Sequence, residues 1–389
     1  MILTDILKVI YAPHKVFKQI VQNPKYLGAF VVLLLFVAAQ VGFYYSLYTH
    51  TYYEQTSPDV NNLDSWVANT TIWTTAPASA QISLNYLDNL NNSFYGNNSI
   101  QFEVQNSNTI SASLNNFGEE VNCGPSGFNN VSLRVKIAEP STNPESVVLY
   151  LYSQSSQDYF QYDLTSEFAG ASTNVWTNIT LTVGDGGWTE VGSPNWQSIT
   201  SLQLETNYSA ESSITLRITG LFFGGVYETP IQTDLNSFVI YVLQLAVTQF
   251  LFEWLLLTGL LYIIIKVMKG DIIWKPLFVA IGFALIVTVI QSLINIAATQ
   301  SLPAQLYYPV ELLVNLPGEA VAINTALIDA TATYSLIAGI TQLASYIWIA
   351  GLGAFIVRAL KPEFTWTKCI LSSSISLIAT IFLLTLLGV

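Results

Sequence analysis

The stretch from Val175 to Glu205, VWTNITLTVGDGGWTEVGSPNWQSITSLQLE, decides the architecture. Within it Ile179, Leu181 and Val183 alternate with polar residues, and Gly, Pro and Asn close the run. A period of two turns one face of a strand to a core and the other to water. The same alternation recurs at Ile100, Phe102 and Val104, at Leu133, Val135 and Ile137, and at Ile214, Leu216 and Ile218. With VVLYLY at 147–152, YFQYDL at 159–164 and SLQL at 201–204, seven to nine strands are available between turn residues, which predicts a β-sandwich.

The flanks are of another kind. The chain has 389 residues, 51% of them hydrophobic and 10% charged, against roughly 25% charged in soluble domains. Five runs reach the length of about 20 apolar residues that crosses a bilayer: 26–48, 238–267, 277–299, 335–357 and 370–387. The fold expected is an α-helical transmembrane bundle of five spans, with an all-β sandwich inserted at 49–237 after the first. Residues 1–25 form an amphipathic lead and 238–389 carry spans two to five. The proline-containing loop from Ser301 to Thr333 is apolar and is expected against the membrane or under the sandwich.

Charge sets the orientation. Ten of the thirteen basic residues precede the first span or lie between spans two and three and between four and five; the insert holds the other three, Arg134, Lys136 and Arg217. Cytoplasmic loops carry the excess of Lys and Arg, so the N-terminus is expected in the cytoplasm, residues 49–237 outside, and the C-terminus outside, in a multi-pass protein of the cell membrane. Eighteen acidic residues against three basic give the insert a net charge of −15, which keeps an exposed domain soluble and argues against nucleic acid as a partner. The first span continues through Gly42, Phe43, Tyr44 and Tyr45, too far for a cleaved signal peptide, and reads as a retained anchor. Cys123 and Cys369 fall on different sides, so no intrachain disulfide is expected, and His14 and His50 flank a whole span, which disfavours a His-based metal site. No cofactor, metal cluster, phosphate loop or nucleophile elbow is recognisable, and the chain reads as non-enzymatic.

Six Asn-x-Ser/Thr sequons begin at Asn69, Asn91, Asn97, Asn130, Asn178 and Asn207, all within the insert, and are candidate glycosylation sites. Aromatic rings stack on the apolar face of a sugar while its hydroxyls need polar partners. Trp188, Trp196, Asn195 and Asp185 could supply both; Trp176 and Trp196 read more readily as core or edge packing residues, leaving Trp188 as the better exposed stacker.

The order YDLTSEFAG, VWTNITLTVGDGGW, NWQSITSLQLE, SITLRITGLFFGG resembles the second half of galactose-binding-like jelly rolls common in carbohydrate-binding modules, over about 131–225. The resemblance implies a jelly-roll sandwich with a sugar-binding role. The closing strand has Thr219, Gly220 and Leu221 where that family often has acidic residues, which removes the ground for a structural calcium ion.

In the lead segment Ile2, Leu3, Ile6, Leu7 and Ile10, then Val16, Phe17, Ile20 and Val21, recur at helical spacing, with Pro13 able to start a second helix. Such a segment lies on the inner leaflet or packs under the bundle. The run ILKVIYAPHKVFKQIVQNPKYLGAFVVLLLF is similar to the opening of prokaryotic members of the Yip (Ypt-interacting protein) domain family. That resemblance implies a five-span protein of membrane organisation or partner binding, and brings no catalytic residues.

Within the helices the polar groups are Glu253, Gln291, Asn295, Gln342 and Arg358. An ionisable residue at membrane depth faces a partner or water, so Glu253 is either a relay with Gln291 and Asn295 or a protonated group at a helix interface. Gly339, Gly351 and Gly353 suit close helix packing. The function expected is display of an acidic, glycosylated sandwich that binds surface glycan or an envelope protein. The alternatives are a transport component built around Glu253, or an accessory subunit beside other membrane subunits.

Overall fold

The computed structural model describes residues 2–90, 94–169, 173–184, 186–316 and 318–388. It forms two compact units: a helical one of residues 1–52, 229–306 and 326–389, and a β one of residues 53–228 and 307–325. Helices α1 (Ile2–Tyr11) and α2 (Pro13–Gln22) open the chain, the second with proline in its first turn. Their apolar stripes, Ile6, Val9, Val16, Phe17 and Ile20, are buried in the core of the helical unit. The lead thus packs on the bundle, while Leu3, Leu7 and Tyr11 remain exposed on its other side. Helix α3 (Tyr26–Tyr48) follows with the expected bounds.

The β unit starts with β1 (Thr51–Ser57), β2 (Trp73–Ala76), β3 (Gln81–Asn85) and β4 (Ser99–Leu114). Next come β5 (Asn130–Glu139), β6 (Ser146–Ser153), β7 (Ser155–Asp163) and a one-turn helix α4 (Thr165–Ala169). Strands β8 (Thr177–Thr182), β9 (Trp188–Val191) and the 30-residue β10 (Ile199–Glu228) complete it. Strand β10 organises the whole: Leu202–Asn207 lie between β4 and β6, whereas Leu216–Thr219 pair with β5, and β4 follows it through both layers. The change of partner comes at a register shift after Asn207, where facing Asn106 takes a left-handed φ of 51°. All twelve residues of the four alternating runs are buried, and they meet Leu149, Leu151 and Phe160 in one core between the layers. The described strands number eleven; the sequence reading missed short ones such as β2, β3 and β9, which lie in Ser-, Thr- and Asn-rich segments without a long period.

Beyond the sandwich, α5 (Pro230–Thr233) is closed by a Thr229–Gln232 capping box. Asp234 caps α6 (Leu235–Val267) by accepting from the amides of Asn236 and Ser237. The third span, read as continuous, is two helices, α7 (Trp274–Ala284) and α8 (Ile286–Ala298). At the join, the Leu285 carbonyl accepts both the Thr288 amide at 3.0 Å and its hydroxyl at 2.7 Å. A tightened turn of that kind breaks the regular ladder.

The segment read as an apolar loop holds β11 (Leu306–Tyr308) and α9 (Val310–Val314). Its residues 307–325 belong to the β unit. There Val310 and Val314 pack with Leu63, Tyr95 and Phe222, and Glu54 accepts the Val310 and Gly225 amides at 2.9 and 2.6 Å. Arg134, 1% exposed, donates to Glu319 at 2.7 Å and lies 3.9 Å from Glu311. It also donates to Ser132 Oγ and the Gly220 carbonyl at 2.9 and 3.3 Å, with its guanidinium 4.8 Å from the Tyr95 ring centre.

Helix α10 (Val321–Leu360) runs 40 residues rather than the 23 read from hydropathy, about 60 Å at 1.5 Å per residue. The run from Ala326 to Thr333, small and apolar apart from Asp329, lets the span begin earlier, and the helix extends through it to Val321. Helix α11 (Trp366–Leu387) closes the chain, capped by Thr365. Among the described residues, five helical segments are long and apolar enough to cross a membrane. Close packing among them rests on Gly28, where a Cβ would lie 1.9 Å from the Phe283 ring, and on Gly282 and Gly353. Gly339 and Gly351, expected at such contacts, have nothing within 4 Å of an added Cβ: they lie on an exposed side of α10.

Candidate functional sites

Strand parity divides the aromatic residues of the sandwich into two sets. On β6, Val147, Leu149 and Leu151 point into the core, so Tyr150 and Tyr152 point away from it. On β7 the buried residue is Phe160, which turns Tyr159 and Gln161 the same way as the β6 tyrosines. Registration then builds lateral rows across four strands. One runs Ser113, Gln203, Tyr150, Gln161, and its neighbour Ser201, Tyr152, Tyr159.

The three phenol rings lie 5.5–6.2 Å apart, centre to centre. Beside them is a chain of polar groups: Tyr152 donates to Gln203 at 3.1 Å, and Gln203 and Asn207 donate to Glu205 at 3.3 and 3.1 Å. Burial, neighbouring tyrosines and the Glu205 carboxylate hold both Tyr150 and Tyr152 above the usual phenol range, so both keep their O–H donors at neutral pH. A groove of about 330 Å³ opens at this face, lined by Tyr152, Gln203, Asn115, Gln154 and serine and threonine hydroxyls. Such a surface offers flat rings flanked by donors and acceptors. The sequence reading used these tyrosines only to count strands; the signal was present in VVLYLY and YFQYDL, where tyrosine occupies the non-core positions.

The tryptophans singled out from sequence lie elsewhere. Trp188 pairs with Tyr162, on the core-facing parity of β7, and its indole N–H donates to the Thr182 carbonyl at 2.8 Å. Trp196 stacks on Phe160 with centres 3.6 Å apart, and Trp188 meets its edge at 5.5 Å. Both are half-buried and pack against the sandwich core. Asn195 is exposed, with its Oδ1 accepting the Gln197 amide and its own amide donating to Ser153 Oγ. Asp185 lies outside the described residues. Trp176 is half-buried, 5.9 Å from Lys136 Nζ. Of the sequons, Asn69, Asn97 and Asn178 are exposed and Asn130 and Asn207 half-buried; Asn91 lies outside the described residues.

The polar groups read in the helices converge. Glu253, Gln291, Asn295 and Gln342 line one cavity of about 340 Å³ inside the helical unit. The sequence reading missed Gln40 on α3 and Gln249 on α6, as well as the Thr288, Ser292 and Thr380 hydroxyls on the same wall. Gln249 and Glu253, and Thr288, Gln291, Ser292 and Asn295, recur at helical spacing, which could have grouped them. Arg358 is not among them: it donates to the Phe364 carbonyl and lies over the Trp366 ring.

No family model matches the chain, and no curated protein matches it. Among solved structures it is similar to a family 11 carbohydrate-binding module from Clostridium thermocellum in complex with a β-1,3-1,4-mixed-linked tetrasaccharide. That match has 8% identity and a TM-score of 0.30, covering 44% of this chain and 94% of the module. A family 30 carbohydrate-binding module of a Clostridium thermocellum cellulosomal cellulase is similar over 39% of this chain and 88% of its own, at 10% identity and a TM-score of 0.29. A β-1,2-glucanase from Parabacteroides distasonis is similar over 39% of this chain and 23% of the enzyme, at 12% identity and a TM-score of 0.30.

Proposed function

We infer that this is a multi-pass membrane protein whose acidic sandwich lies outside the cell and binds carbohydrate on its tyrosine-lined sheet face. The observation that carries this is the outward row of Tyr150, Tyr152 and Tyr159 beside Gln203, Glu205 and the 330 Å³ groove. Sugar rings bind by stacking one apolar face on an aromatic ring while their hydroxyls meet fixed polar groups. Three carboxyls on or beside this face accept hydrogen bonds, Asp158 from Ser155 Oγ at 2.7 Å and the Ser193 amide at 2.8 Å. Glu205 accepts from Gln203 and Asn207, and Asp163 accepts the Thr165 amide at 2.9 Å. We read the face as binding sugar without cleaving it. The five apolar helices and the distribution of Lys and Arg support an anchor with its N-terminus in the cytoplasm. The similarity of residues 6–36 to Yip-family openings supports a role in organising the membrane around that anchor.

The test is glycan-array binding by the full chain in lipid nanodiscs. A fragment cut at residue 227 would lose Glu319, the partner of Arg134. Tyr152→Ala should weaken binding about tenfold, the loss of on the order of 1.4 kcal/mol of stacking and hydrogen bonding, whereas Trp188→Phe should leave affinity unchanged. No glycan bound by the wild type, or equal affinity in Tyr152→Ala, would remove this function.

A further inference from the structure

We propose that the cavity within the helical unit is a binding site for a monovalent cation, held by Glu253 on α6 and by neutral oxygens from the other four long helical segments. Each segment contributes to the wall: Gln40 from α3, Glu253 from α6, Asn295 from the α7–α8 segment, Gln342 from α10 and Thr380 from α11. Glu253 is 8% exposed, sits near the middle of α6, and has no hydrogen-bond or ion-pair partner among the described residues. A carboxyl group at that depth is costly unless a proton or a cation accompanies it.

The wall has the character of an acceptor shell. Gln40 Oε1 and Asn295 Oδ1 are buried without a donor. Thr288, Ser292 and Thr380 give their hydroxyl protons to carbonyls of their own helices at 2.7, 2.9 and 2.8 Å. Gln342 Nε2–H donates to the Tyr346 hydroxyl at 2.9 Å, which leaves its Oε1 as an acceptor. The Thr288, Ser292 and Thr380 oxygens therefore have lone pairs but no protons to offer an occupant, whereas the Tyr44 and Tyr346 hydroxyls on the same wall keep theirs. Among the described residues no Lys, Arg or His lines the cavity, and Glu253 is the one carboxyl there. One carboxylate balances one positive charge, and the neutral oxygens are hard ligands suited to an alkali-metal ion. The volume of about 340 Å³ exceeds a bare ion and leaves room for several waters of its hydration shell, each occupying about 30 Å³. An organic ammonium ion would satisfy the same shell. The site is independent of the sandwich and of any sugar bound there.

The experiment is thermal unfolding of the full chain in detergent, titrated with NaCl, KCl or methylammonium chloride. N-methyl-D-glucamine chloride holds the ionic strength constant. A ligand that binds the folded state raises Tm with a saturable dependence on its concentration. The expected result is such a rise with at least one of the three cations; a response to sodium or potassium alone identifies an inorganic ion, and one to methylammonium alone an organic cation. Glu253→Gln, isosteric with the protonated acid, should weaken the apparent affinity at least about tenfold. Asn295→Ala, which keeps the charge, should weaken it by a smaller factor, about three- to tenfold. Glu363→Gln, at an exposed position outside the cavity, should change nothing. A Tm indifferent to all three cations, or an affinity unchanged by Glu253→Gln, overturns the proposal.

Discussion

Arg134→Met removes a buried charge while keeping most of the side-chain volume. The lost contacts are the 2.7 Å bond to Glu319, the donations to Ser132 and the Gly220 carbonyl, and the cation–ring contact with Tyr95. Glu319 is 20% exposed and recovers water when its partner leaves, so the cost falls mainly on the charge-assisted bond, at about 1.5–3 kcal/mol. That energy holds residues 307–325 on the sandwich. The readout is amide exchange in the full chain: the Val310 N–H is bonded to Glu54 and the Asn315 N–H to the Glu311 carbonyl. Both should exchange about 10- to 150-fold faster in the variant, the factor equivalent to that energy. Amides of β6, bonded within the central sheet, should keep their protection. Glu319→Gln should cost less, since Glu311 remains 3.9 Å from the guanidinium. Unchanged exchange at Val310 and Asn315, or equal acceleration throughout β6, would refute the idea that Arg134 specifically clamps this segment.

Burial holds Glu54 above its ordinary pKa of 4.5, outweighing the amides of Val310 and Gly225 that lower it. A raised carboxyl contributes stability that is complete below its unfolded pKa and lost as pH rises through the folded value. Urea resistance of the sandwich should therefore decline as pH climbs from about 4.5, and Glu54→Gln should flatten that decline; an identical slope in the variant rejects the assignment. Burial also pushes the Cys123 thiol up to about 12, so at pH 8 roughly one molecule in ten thousand holds a thiolate. Maleimide should label Cys123 only after denaturation, and rapid labelling of the native chain would contradict its burial. At Gly282 an added Cβ would lie 2.5 Å from Ala29 Cβ and 2.8 Å from the Trp254 ring. Gly282→Val should cost the bundle about 1–3 kcal/mol or more, read as a lower Tm in detergent; a Tm equal to wild type would mean that these helices can separate freely.

Hydropathy and alternation were enough to locate the two architectures, because both report a local choice between apolar and aqueous surroundings. Tyr26–Tyr48 emerged with its expected bounds, and Ile100, Leu133, Ile179 and Ile214 with their neighbours emerged as core. Local periodicity could not join Arg134 to Glu319, 185 residues away, or attach residues 307–325 to the β unit, because such contacts are long-range. The same limit hid the candidate sites. Tyr150, Tyr152 and Tyr159 were visible as alternating residues, but only the registration of β10, β6 and β7 set them side by side with Gln203. Trp188 looked exposed in a polar loop, and Trp196 a packing residue; the structure stacks Trp196 on Phe160 and sets Trp188 edge-on against Tyr162. Glu253 announced itself as a charge in an apolar run. That Gln40, Asn295, Gln342 and Thr380 share its cavity followed from the rotation of each helix about its axis, which depends on what every other helix must bury.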